Sequence, residues 1–207
     1  MQGSRRPLKS RGTAWARALT SLLLKTRVTP DQISVAGIAF AILGSLVVLA
    51  APVHPWLFVA AALGIQLRLL CNLLDGLVAV EGGRKSVHGA LYNEIPDRLE
   101  DSVLLIAFGQ AADLLWLGLL AALLAALTAY LRVLGGTLGF AQDFGGPMAK
   151  PHRMAALTVT ALVACAEAQL LGSTHALAAG LVVIALGTVW TLVERTRRLA
   201  RRLEDTA

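Results

Sequence analysis

Apolar runs of about 20 residues, broken from one another by short polar stretches, constrain this chain more than any other feature. A helix of that length crosses a hydrocarbon core roughly 30 Å thick, and it satisfies its own backbone N–H and C=O groups where no water can. The runs fall at about 30–52, 55–80, 89–112, 114–134, 152–172 and 175–196. They predict an all-α, polytopic membrane protein with six transmembrane helices. The balance of residues agrees: 56% are hydrophobic and only 15% charged, where a soluble domain carries roughly a quarter charged. Cys71 and Cys165 both lie inside apolar runs and read as small packing residues.

The net charge of +6 does not point to nucleic acid, because the basic residues sit beside apolar runs, as in a protein facing anionic lipid. The connections near 53–54, 113 and 173–174 carry no Lys or Arg, whereas 81–88 and 135–151 carry Arg84, Lys85 and Lys150. Both ends of the chain are basic as well, so both termini are expected on the cytoplasmic side. Arg5, Arg6, Lys9, Arg11, Arg17, Lys25 and Arg27 interleave with Trp15, Ala18, Leu19, Leu22 and Leu23 at helical spacing. That stretch predicts an N-terminal amphipathic interfacial helix over 1–28, ahead of a membrane domain over 29–198 and a cytoplasmic tail over 199–207. Thr29 is the expected N-cap of the first span, with Pro30 at its first position. Five glycines between 135 and 146 predict a flexible, tightly turning loop.

Ionisable residues inside spans are costly and are functional candidates by default. The second span carries Arg68, Asn72 and Asp75; the third carries Asn93, Glu94, Asp97, Arg98, Glu100 and Asp101. Asn72 and Asp75 share a helix face, as do Gly89, Asn93, Asp97 and Asp101 at steps of four. Counted from the 81–88 loop, Asp75 and Asn93 lie roughly 6–8 Å deep and Asn72 and Asp97 roughly 12 Å deep. Four oxygen-bearing side chains on two antiparallel helices can thus converge near one membrane surface, where a hard divalent cation would find ligands. Arg68, Arg98, Glu100 and Asp101 read instead as packing ion pairs, since an arginine at the depth of Glu100 and Asp101 needs a neutralising partner.

The stretch Asn72-Leu-Leu-Asp75-Gly76-Leu-Val-Ala79-Val80, eight residues, then Gly89-x3-Asn93-x3-Asp97 resembles the signature of the CDP-alcohol phosphatidyltransferases. Its spacing matches throughout, and Thr29–Ile33, Tyr130-Leu-Arg132 and Lys150-Pro-His-Arg153 resemble other positions of that family. Asn72 and Asn93 stand where the signature has aspartates, and Val80 where it has an arginine. The resemblance implies transfer of a phosphatidyl group from a CDP-linked lipid such as CDP-diacylglycerol to an acceptor alcohol, with release of CMP. It implies Asn72, Asp75, Asn93 and Asp97 as ligands of one or two Mg²⁺ or Mn²⁺ ions, and Asp97 as the base. It implies that Gly76, Ala79 and Gly89 lie at the nucleotide, with Arg84 or Lys85 replacing the missing arginine. Arg132, Lys150 and Arg153 would bind the acceptor, which can be phosphorylated, like glycerol phosphate or an inositol phosphate. A homodimer in the bacterial inner membrane is implied too. With two carboxylates replaced, Glu94 or Asp101 can supply a substitute ligand. The alternative is a catalytically inactive relative that binds a nucleotide-lipid or scaffolds a partner.

Overall fold

The computed structural model describes residues 12–83 and 87–206. It is all helix: α1 (Ala14–Leu24), α2 (Pro30–Ala50), α3 (Leu57–Glu81), α4 (Gly89–Ala111), α5 (Leu115–Thr137), α6 (Lys150–Leu171) and α7 (His175–Glu204), with no strand among the described residues. Five of these, α2, α3, α5, α6 and α7, are long and apolar enough to cross a membrane. α4 has the length, 23 residues, but Glu94, Asp97, Arg98, Glu100 and Asp101 take it out of that set. The multi-pass membrane fold expected from the sequence is therefore what forms, with five spans evident by composition where six were expected. The helix that departs is the one carrying the charged residues. Arg5, Arg6, Lys9 and Arg11 of the expected interfacial helix lie outside the described residues, as do Arg84 and Lys85. What is described of that helix is α1, which lays Ala16 against Leu73 and Leu77 of α3 and exposes Trp15, Leu19 and Leu22.

α2 starts as its sequence dictates. The Thr29 side chain accepts from the Gln32 N–H at 3.2 Å, the Gln32 side chain accepts from the Thr29 N–H at 3.0 Å, and Pro30 fills the first turn, where no N–H is needed. In lipid no hydrophobic force draws apolar helices together, so small residues that let backbones approach decide which surfaces meet. α2 and α3 cross at Gly44 and Gly64, where a Cβ built on Gly64 would lie 3.0 Å from the Gly44 Cα. α4 and α5 close on each other at Gly109 and Gly118, where a Cβ on Gly109 would lie 2.6 Å from the Gly118 Cα.

These approaches build a closed ring of helices in the order α2, α3, α6, α7, α5, α4. Phe58, Ile65, Leu104, Phe108, Leu157 and Leu181 fill its interior and are fully buried. α3 and α4 are consecutive in sequence but not neighbours in the ring, because α2 stands between them. Their polar faces confront each other across the interior rather than packing side by side. α6 flanks α3 on its other side, which brings the start of α6 to the same region.

The connection between α5 and α6, expected to be flexible, is fastened to α7. Arg195 donates to the Gly145 carbonyl at 2.9 Å and to the Thr128 carbonyl at 2.6 Å, and Arg198 donates to Asp143 at 2.7 Å. The Thr191 hydroxyl accepts from the Met148 N–H at 2.9 Å. Gly146, at φ 117°, lies so close to Thr191 that a Cβ there would come within 2.3 Å of a Thr191 carbon. α7 is itself longer than expected, running on as helix to Glu204.

Candidate active site

Arg68 is the centre of the polar cluster. It is 0% exposed, donates from Nε to Glu100 at 2.6 Å and from its terminal nitrogen to Asp101, and lies 3.9 Å from Asp97. A buried cation of this kind requires opposite charges with good geometry, and α4 supplies them as the consecutive Glu100 and Asp101, with Asp97 one turn away. Asp101 is bridged on its other oxygen by Arg153 of α6 at 2.7 Å, and Arg153 also donates to the Met148 carbonyl at 3.2 Å. Glu100 additionally accepts the Asn72 amide N–H at 3.2 Å. It sits against the backbone of α2, where a Cβ on Gly37 would come 2.7 Å from its Oε1.

Toward the α3–α4 connection the cluster opens. Asp97, with its side chain 20% exposed, pairs with Lys150 on one oxygen and with Arg98 at 3.4 Å on the other. Asp75 is 3% exposed and accepts the Ser34 hydroxyl of α2 at 2.7 Å; it lies within electrostatic reach of Asp97 and Lys150. Glu94 joins Arg98 at 3.3 Å to Arg132, which also donates to Gln142 at 2.9 Å and stacks over Phe144 at 5.2 Å. Asn93 is exposed and its amide donates back to the Gly89 carbonyl at 3.1 Å. Gly76 and Ala79 are half-buried on α3 near Asp75, and Gly89 opens α4.

Of the residues singled out from sequence, Asn72, Asp75, Asp97, Lys150 and Arg153 come together through this network, whereas among the described residues Asn93 bonds along its own helix. Glu94 and Asp101, considered as substitute ligands, are engaged by arginines. The three expected acceptor-site cations are each paired with a carboxylate: Arg132 with Glu94, Lys150 with Asp97, Arg153 with Asp101. Ser34 and Gly37 were not anticipated. Each is an ordinary small residue on an apolar helix, and only the packing of α2 against α3 and α4 gives it a role.

Around the site four carboxylates (Glu94, Asp97, Glu100 and Asp101) are ion-paired with five cations (Arg68, Arg98, Arg132, Lys150 and Arg153), while Asp75 accepts from the Ser34 hydroxyl. No group of three or more His, Cys, Asp or Glu side chains is disposed as a metal site among the described residues. The donors that do remain still fit a hard cation. Asp75 keeps one carboxylate oxygen beside the one bonded to Ser34, and Asn72, by giving its N–H to Glu100, keeps its carbonyl oxygen as the atom that can coordinate; Asp97 joins them where Lys150 or Arg98 gives up its oxygen.

No family model matches the chain. Inner membrane protein YnbA of Escherichia coli (strain K12) is 32% identical to it over 136 residues, which are 63% of this chain and 65% of the length of that relative. Among solved structures, Mycobacterium tuberculosis phosphatidylinositol phosphate synthase (PgsA1) with CDP-DAG bound superposes at a TM-score of 0.72 with 21% identity, over 90% of this chain and 94% of that one. The same enzyme in complex with manganese and citrate gives 0.72 at 21% identity, over 89% and 88%. Its apo form gives 0.70 at 22% identity, over 87% and 93%. At these identities the likeness is one of fold. The chain has the fold of a CDP-alcohol phosphatidyltransferase and resembles that family along most of its length.

Proposed function

We propose that this protein is a phospholipid-synthesising transferase of the bacterial inner membrane. It moves a phosphatidyl group from CDP-diacylglycerol, or a similar CDP-linked lipid, to a small polar acceptor alcohol and releases CMP. The observation that carries the reading is the polar cluster between α3 and α4, with Asp75 bonded to Ser34 and Asp97 to Lys150, on a fold shared with a synthase solved with CDP-DAG bound. The acceptor oxygen forms a bond to the lipid-side phosphorus, the bond from that phosphorus to the CMP oxygen breaks, and the acceptor proton goes to Asp97. Asp97 is held for this by Lys150 and Arg98 on its two oxygens.

Asn72, Asp75, Asn93 and Asp97 would hold divalent metal, Mg²⁺ or Mn²⁺, which would supply positive charge to offset the charge that develops on CMP as it leaves. Asp75 is fixed by Ser34, and Asn72 by Glu100. The small surfaces of Gly76, Ala79 and Gly89 admit the nucleotide, and Arg84 and Lys85 of the following loop serve its phosphates. Arg132 forms the acceptor end with Arg153 behind it, an arrangement suited to a phosphorylated acceptor. α4 is the sixth span, its charges carried across by the partners just described. α1 lies on the cytoplasmic surface, both termini are cytoplasmic, and two copies associate as a homodimer.

One observation favours a second reading. Asp97, the proposed base, is held by two cations, an arrangement that also suits a nucleotide-lipid-binding relative without activity. Release of CMP from CDP-diacylglycerol with Mg²⁺ or Mn²⁺, over a panel of acceptors, decides between them. Turnover by the wild type that is lost in Asp97→Asn supports the transferase. A folded protein silent with every acceptor refutes it.

A further inference from the structure

We infer that Thr191 of α7 is a positioning residue of the active site: acting through Met148, it fixes the start of α6 and with it Lys150 and Arg153. The inference rests on the proposed transferase, in which Asp97 takes the acceptor proton. Its basis is a seat on α7 built by Gly187 and Thr191, four residues apart and so on one face of the helix. The fully buried Thr191 hydroxyl accepts from the Met148 N–H at 2.9 Å and donates to the Gly187 carbonyl at 2.8 Å, so a bond on each side holds it. Gly187 makes room for the seated residue, since a Cβ there would lie 3.0 Å from the Met148 Cβ and 2.8 Å from its Cε. Gly146, at φ 117°, lets the loop come down on the Thr191 methyl, which a Cβ would meet at 2.3 Å.

The other side of Met148 faces the site. Its carbonyl accepts from Arg153 at 3.2 Å, and the same guanidinium holds Asp101 at 2.7 Å. The buried Ala149 follows as the N-cap of α6, and Lys150, the first residue of that helix, crosses to Asp97. One short segment is thus held at its N–H by α7 and at its carbonyl by the ion-pair network. A buried N–H without an acceptor is costly, so removing the Thr191 hydroxyl drives Met148 off its seat. Lys150 and Arg153 stand in the first turn of α6 and take up that shift directly. A displacement of about 1 Å can cost a rate on the order of 100-fold, but a lysine stem is flexible enough to follow part of the movement, so about tenfold is expected. Thr188 supplies the comparison. It is as deeply buried, and its hydroxyl donates to the Ile184 carbonyl at 2.6 Å along its own helix.

The test is CMP release from CDP-diacylglycerol by the full-length protein in detergent micelles, with Mg²⁺ or Mn²⁺ and the acceptor panel, well below each variant's unfolding midpoint. Thr191→Val keeps the shape and removes the hydroxyl; kcat should fall about tenfold or more while the KM for CDP-diacylglycerol stays within about twofold. Thr191→Ser restores the acceptor for the Met148 N–H and should recover most of the loss. Thr188→Val should turn over like the wild type. If Thr191→Val does not fold, Gly187→Ala presses a Cβ onto Met148 and should give the same split between kcat and KM. A purely structural threonine lowers the unfolding midpoint and leaves kcat alone, so a Thr191→Val kcat equal to that of an active wild type overturns the inference and spares the transferase. An equal fall in Thr188→Val, or a loss confined to the KM for the CDP-lipid, overturns it as well. A wild type silent with every acceptor overturns the transferase and this inference together.

Discussion

Removing the Arg68 guanidinium is the sharpest test of the packing described here. In Arg68→Met a side chain of similar length fills the site, so the effect is electrostatic rather than a cavity. Asp101 keeps its bond from Arg153 at 2.7 Å and remains compensated. Glu100 loses its 2.6 Å partner and keeps only the neutral Asn72 amide at 3.2 Å, inside a fully buried pocket. The orphan is therefore Glu100, and breaking a buried pair by removing one partner costs about 3–5 kcal/mol. In a chain of this size that lowers the midpoint of thermal unfolding by on the order of 10 °C, measured on purified protein in detergent. Glu100→Gln added to Arg68→Met removes the orphaned charge and should recover at least half of the loss. An Arg68→Met midpoint within a degree or two of wild type would refute the reasoning. So would a double variant less stable than the single one.

Gly37→Ala places a Cβ 2.7 Å from Glu100 Oε1 and 3.4 Å from the Cys71 Cβ, pushing the carboxylate off Arg68; a loss of about 1–3 kcal/mol is expected in the same assay. Gly64→Ala meets backbone instead, Gly44 Cα at 3.0 Å and Phe40 O at 3.2 Å, so it should cost as much and loosen α2 from α3, read by crosslinking between those helices. Burial works to raise the Asp143 carboxyl, but the Gly145 N–H at 2.8 Å and the Arg198 guanidinium outweigh it and hold the group below the ordinary carboxylate range. A carboxyl depressed by folding stabilises the fold above its unfolded value of about 3.9 and loses that contribution as pH falls through the folded value. Proteolysis within 138–149 should accordingly rise as pH falls below about 4. Asp143→Asn should expose the loop at every pH. Single cysteines introduced at Val87 and Thr206 should label from the cytoplasmic side, and ones at His54 and Ser173 from the opposite side. Labelling of all four from one side would refute the six-span topology.

The sequence by itself determined the helices and most of the candidate residues. Length and hydropathy act locally, so α2, α3, α5 and α6 begin and end close to where their runs do, and Thr29 as the cap of α2 with Pro30 after it was readable from the sequence. The spacing from Asn72 to Asp97 put polar residues on one face of α3 and one face of α4 for the same reason: a helix fixes the angular position of its own side chains. It does not fix which helix stands opposite. That depended on close approaches such as Gly44 with Gly64, contacts between residues far apart in sequence that no period encodes. Only the tertiary structure set α2 between α3 and α4, turned Ser34 toward Asp75, and brought Lys150 and Arg153 onto Asp97 and Asp101 from more than 50 residues away. The same holds for α7, whose Arg195 and Arg198 were given no role by the sequence and in the fold clamp the 138–149 loop. The charges of α4 keep it out of the set of helices apolar enough to cross a membrane, and the partners that match them on α3, α5 and α6 meet it only in the assembled ring.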